Sequence, residues 1–157
     1  GEFVRHRSNC QVSYNNEIIV GDYENGNLYA YDLQDYTDNG DIQKWLRTWR
    51  ALDTGQNNLK RSAHHTLQID CETGVGTNTG QGSDPQMMLR WSDDGGHTWS
   101  NERWVSMGKI GEYFARAIFR RLGMTLKLRD RVYEVSGTAP VKIAIVDAEL
   151  HMSPTNG

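Results

Sequence analysis

With 157 residues the chain is the size of one domain, at roughly 100–200 residues each, and its core needs neither disulfides nor a structural metal. A content of 37% hydrophobic and 24% charged residues, with 16 Gly, 3 Pro and 5 Trp, excludes disorder, a collagen repeat and a simple coiled coil. The net charge of −3 is the small difference between 20 acidic side chains and 17 Lys plus Arg, and the two signs are segregated along the chain.

Gly1-Glu2-Phe3 looks like an expression scar, and residues 1–9 are set aside as scar or linker. No apolar run approaches the ~18 residues of a membrane span, and the opening residues lack the apolar segment of a signal peptide. No membrane contact is expected, and the chain is expected to be cytoplasmic when made. Cys10 and Cys71 are too few for a disulfide framework and read as free thiols. Residues 10–41 read as a β-hairpin appendage. Ile18–Tyr23 and Leu28–Leu33 flank the step Asn25-Gly26, which predicts a tight type I′ turn because that turn needs φ > 0 at both central residues.

Residues 42–157 read as the main domain. Lys44–Arg50 fits a helical stripe and strand alternation equally well. Ala63, His65, Leu67, Ile69 and Cys71 alternate with His64, Thr66, Gln68 and Asp70, predicting a half-buried strand. Glu72–Asp84 is rich in Gly, Thr, Asn and Ser and predicts a long, exposed, mobile loop. Met87, Leu89 and Trp91 alternate into a tight turn at Asp93–Gly96. Glu112–Leu122 suits a helix stopped at Gly123 or a strand, and the hairpin-spaced strands on both sides favour the strand. Arg131–Ser136 and Val141–Leu150 form a strand pair, the second expected to be covered on both faces. The fold class is therefore all-β, an antiparallel β-sandwich or jelly-roll-like barrel.

Ser92, Asp94, Gly96, Thr98 and Trp99 match every fixed position of the Asp-box pattern S-x-D-x-G-x-T-W. A carboxylate and two hydroxyls can hold the turn amides, glycine supplies the left-handed backbone, and Trp99 can staple the turn to the sheet. The motif recurs in sialidase propellers, but one box in 157 residues supplies neither the arginine triad nor the nucleophile of such an enzyme. No nucleophile elbow, phosphate loop or dinucleotide fingerprint is present, so no catalytic residues, metal or cofactor are assigned and the chain is not expected to be an enzyme. His64 and His65 are adjacent and, on a strand, face opposite ways.

Charge is more informative. Tyr14–Asp41 holds seven carboxylates and no Lys or Arg, whereas Arg103–Arg131 holds eight cations against Glu112 and Asp130. The basic run can be a solvated face, a contact with the acidic stretch of an identical subunit, or a phosphate-binding surface with Tyr113, Phe114 and Phe119 stacking on bases. Candidate subunit or partner contacts are Arg116, Arg120, Arg121, Lys127, Arg129 and Arg131, and on the acidic side Asp22, Glu24, Asp32 and Asp35.

Three stretches carry a resemblance: Ile19–Tyr29, Met88–Ser100, and Arg121-Leu122-Gly123-Met124 followed by Leu128–Tyr133. They resemble the C-terminal part of the packaged-DNA stabilisation proteins, tail hub proteins of short-tailed phages that infect enteric bacteria. The resemblance implies a fragment or shortened relative of a virion tail protein that is assembled in the bacterial host cytoplasm. It also implies a homo-oligomer that helps close the portal and contacts the head-to-tail adaptor, the tailspike or fibre and the tail plug proteins. In such proteins stabilisation means retention of DNA, so direct nucleic-acid binding is not expected. The 10–41 hairpin then resembles a propeller-blade edge. The competing expectation is a carbohydrate-binding β-sandwich module, drawn from five Trp, seven Tyr and the Asp-box.

Overall fold

The computed structural model describes residues 5–50, 61–126 and 131–155. The chain divides into two compact units, Gly1–Asp35 and Tyr36–Gly157.

The first unit is an antiparallel sheet of β1 (Ser8–Tyr14), β2 (Glu17–Asp22) and β3 (Leu28–Ala30), in that order. β1 starts inside the stretch set aside as scar or linker. The tight hairpin turn falls at Asn15-Asn16, where Tyr14 pairs with Glu17 and φ is 50° and 64°. Two successive positive φ values are the signature of type I′, and asparagine is the side chain that tolerates them best after glycine. The turn expected at Asn25-Gly26 is not formed. β2 and β3 are joined across Tyr23–Asn27, and Gly26 is not among the glycines with positive φ. Asp22 Oδ1 accepts from Glu24 N and Asn25 Oδ1 accepts from Asn27 N, each at 2.8 Å, so two side-chain turns reverse the chain instead.

The second unit opens with a short hairpin, β4 (Thr37–Asp38) and β5 (Asp41–Ile42), turned at Asn39-Gly40 with φ of 51° and 88°. The Asn-Gly rule therefore applies at Asn39-Gly40 and not at Asn25-Gly26. Seven strands follow: β6 (Trp45–Arg50), β7 (Ser62–Cys71), β8 (Gln86–Ser92), β9 (Arg103–Ser106), β10 (Ala117–Met124), β11 (Val132–Gly137) and β12 (Ile145–Pro154). They make two antiparallel sheets, ordered β6-β11-β8-β9 and β10-β7-β12. Leu67, Ile69, Ala117, Phe119 and Leu122 of one sheet meet Met87, Leu89, Tyr133 and Val135 of the other in one core, flanked by Trp45, Trp49 and Trp91. The 44–50 segment is thus a strand. The 112–122 segment is a strand only from Ala117, with turns closed by Lys109 and Glu112 carbonyls before it.

Three expectations change. In β7 the alternation reverses at His65: Ser62 and His64 are buried, as are Leu67 and Ile69, whereas His65 is exposed. His64 pairs with Met152 and Thr66 with His151, so His65 is an extra residue that flips the faces. The 72–84 segment packs rather than standing off: Gly74, Gly76 and Gly82 are buried, and Thr77 N donates to Gly82 O at 2.8 Å. β12 is an edge strand, with Ile145 39% and Val146 79% exposed; Val141, which is buried, precedes it.

Gly137, at the end of β11, lies against the Trp45 indole, and a Cβ there would sit 2.5 to 2.7 Å from three ring atoms. The ring cannot yield without leaving the core, so Gly137→Ala is expected to cost about 1–3 kcal/mol, read as a lower urea midpoint with an unchanged slope.

Candidate functional site

The loop from β8 to β9 is organised by its own side chains. Ser92 is buried; its Oγ donates to Asp94 Oδ1 at 2.6 Å and accepts Gly96 N at 2.8 Å. Asp94 accepts Thr98 N at 2.8 Å on Oδ1 and Thr98 Oγ1 at 2.7 Å on Oδ2. Gly95 and Gly96 take φ of 74° and 104°, which the turn requires of them. Trp99 lies 4.6 Å from the Arg90 guanidinium, and Arg90 Nε is 2.5 Å from the buried Glu134 carboxylate of β11. The indole is therefore coupled to the sheet through an ion pair.

The Ser92 hydroxyl first, and then Thr98, hold the Asp94 carboxyl well below the ordinary carboxylate range. A depressed native pKa means that the turn's contribution is present above the unfolded value of about 3.9 and is lost as pH falls through the native one. Asp94→Asn should lower the urea midpoint at neutral pH. The gap to the parent should close as the pH is taken below 2; a gap independent of pH would contradict this.

Asp93, next in the loop, points inward. Its carboxylate takes Arg131 Nε at 2.6 Å and Nη2 at 2.8 Å, while Arg131 also donates to Leu122 O at 2.8 Å and Met124 O at 2.9 Å. Arg131 is 1% exposed and stands over the Trp91 ring. It is therefore withdrawn from the candidate contacts, because every edge of its guanidinium is engaged inside the fold. Behind it, Tyr133 Oη is 2.6 Å from His64 Nδ1, and His64 Nε2 is 3.0 Å from Ser62 Oγ. Burial pushes the Tyr133 phenol up, so it stays protonated and able to donate within the core.

The remaining predicted contacts are divided by the fold. Arg116, Arg120 and Arg121 are exposed in the second unit, and Lys127 and Arg129 lie outside the described residues. Arg103, by contrast, folds back to donate to the Arg120 and Arg121 carbonyls at 2.6 and 3.0 Å. The acidic candidates belong to the first unit. Asp22 and Glu24 lie within 4 Å of Arg7, the Asp22 side chain buried and Glu24 exposed, and Asp32 and Asp35 are exposed, Asp32 accepting Gln34 N. The acidic and basic sets therefore lie on separate units.

Arg116 also borders an open groove of about 410 Å³, lined by Gln68, Asp70, Cys71, Thr73 and Tyr113 and flanked by Phe114, which is 97% exposed. Among the described residues no cluster of His, Cys, Asp and Glu could hold a metal ion. Trp45, Trp49 and Trp91 pack on the core and Trp99 against Arg90, leaving Trp104 as the one strongly exposed indole, while Tyr14, Tyr31 and Tyr113 are also exposed.

The family described as bacteriophage P22 Gp10, β-sandwich, matches residues 44–153. The chain belongs to this family. The match runs from the residue before β6 almost to the end of β12, so it spans both sheets of the sandwich. This places the chain among phage tail structural proteins of a hub-like kind and agrees with the two-sheet architecture. Comparison with curated proteins gave no match. Within the family domain, sequence reasoning missed Asp93, the inward role of Arg131 and the Ser62–His64–Tyr133 network. Their partners are remote in sequence, and a lone Arg or His carries no sign of being buried.

Proposed function

We propose that the chain is a module of a phage tail hub that works through protein–protein contacts in virion assembly. In this reading it takes part in closing the portal after packaging, so that DNA is retained rather than read. The observation that carries the reading is the family match across the whole sandwich. The exposed basic set, Arg116, Arg120 and Arg121, gives such contacts a surface. Lys127 and Arg129 are proposed to extend it. Glu24, Asp32 and Asp35 are proposed as the complementary acidic set of a neighbouring subunit, whereas Asp22, whose side chain is buried beside Arg7, is left out of it. Proposed partners are further copies of the chain, the head-to-tail adaptor, the tailspike or fibre and the plug.

Sedimentation of the chain alone, and capture on a purified portal–adaptor assembly, tests the reading. Retention on that assembly, weakened by the triple change Arg116→Glu, Arg120→Glu, Arg121→Glu, is expected. A chain that stays monomeric and binds no tail component overturns it.

A further inference from the structure

β12 is the longest exposed edge of the sandwich, and no other described strand covers it. Sheet edges invite strand addition, and proteins usually blunt them with charge, bulges, short length or covering groups. The other three edges are treated in this way. β10 has its Arg120 and Arg121 carbonyls occupied by Arg103 and carries a register break. β9 spans only Arg103–Ser106. β6 carries exposed Arg47 and Arg50, with the Arg47 guanidinium folded onto Leu46 O. β12 runs over Ile145–Pro154, has no Lys, Arg or Pro before Pro154, and pairs with β7 alone among the described residues; its register breaks lie between Ile145 and Asp147 and between His151 and Met152, which leaves Asp147–His151 as an unbroken edge.

We propose that β12 is a strand-addition site for an extended basic segment of another virion protein, one with Lys or Arg at alternate positions. The proposal rests on the reading that the module works through protein contacts and names the chemistry of one of them. Ile145–Glu149 are all exposed. Asp147 and Glu149 pair with Asp70 and Gln68 of β7, so their side chains fall on the same face of the sheet as those residues, with Asp70 adding a third carboxylate. An incoming strand would gain backbone hydrogen bonds from the edge and charge pairing from that row, with Val146 offering an apolar contact. A second β12 is a poor occupant, since antiparallel pairing centred on Ala148 would set Asp147 against Glu149 of the other copy.

Ala148 N donates to the Asp147 carboxylate at 2.7 Å. Proline at 148 therefore removes a donor already satisfied by a side chain, and an edge strand tolerates it. The probe is an eight-residue peptide of alternating Lys and Val, titrated against the full chain by fluorescence anisotropy, with amide exchange followed at β12. Peptides of alternating Glu and Val, and of alternating Lys and Pro, serve as controls. Binding of the Lys-Val peptide with slowed exchange at Ile145–Glu149 is expected, weakened about tenfold or more by Ala148→Pro and by Asp147→Lys with Glu149→Lys. Should the proline variant fold poorly, the double lysine variant carries the same test. Absence of binding, equal binding of the Lys-Pro peptide, or β12 protection that grows with protein concentration and no peptide overturns the proposal. In the last case the edge belongs to a second copy. Failure here leaves capture by the portal–adaptor assembly intact, so the two readings fail separately.

Discussion

Arg131→Ala is expected to destabilise the sandwich by about 3–5 kcal/mol. The guanidinium is enclosed, holds both oxygens of Asp93, and satisfies the carbonyls of Leu122 and Met124. Removing it strands a carboxylate that is only a quarter exposed and two backbone acceptors together. The paired change Asp93→Leu with Arg131→Met removes the charge problem but not the carbonyls, so it should recover only part of the loss. Urea unfolding of the two single variants and the double variant decides the matter. Full recovery in the double variant would mean that the carbonyl contacts contribute little.

The second large effect is expected at Arg90→Met, again about 3–5 kcal/mol, because Glu134 is 5% exposed and loses its only charged partner among the described ion pairs. Here the double variant should behave differently. Arg90 makes its bond to Glu134 and stacks on Trp99, with no backbone carbonyl in its care, so Arg90→Met with Glu134→Leu should return close to the parent stability. The two ion pairs thus have separable roles: one ties backbone segments together, while the other positions an indole. A thermal melt of both double variants, run side by side, should place the 90/134 pair clearly above the 93/131 pair.

The strands were largely legible in the sequence because β-prone runs are separated by turn residues and because period-2 alternation holds in β7 on either side of His65. What was not legible depends on partners. The His65 bulge exists because β12 and β10 pair with β7 out of step, and nothing within Ser62–Cys71 announces it. β12 has the apolar content of a covered strand, but coverage depends on its place in the sheet, and the sheet order puts it at an edge. Arg131 belongs to a basic run that reads as exterior, and its inward role is fixed by Asp93, 38 residues earlier. The turn signal was ambiguous for a local reason. Within residues 10–41, Asn15-Asn16, Asn25-Gly26 and Asn39-Gly40 competed, and the side-chain hydrogen bonds of Asp22 and Asn25 decided against Asn25-Gly26.

The Arg103 guanidinium, laced onto the carbonyls of Arg120 and Arg121, also sets a valence. In the proposed strand addition the three-stranded sheet takes its one further strand at β12, because the β10 flank has its carbonyls occupied. A sheet built in this way ends a chain of additions instead of propagating it, which suits a particle whose parts must be present in fixed number.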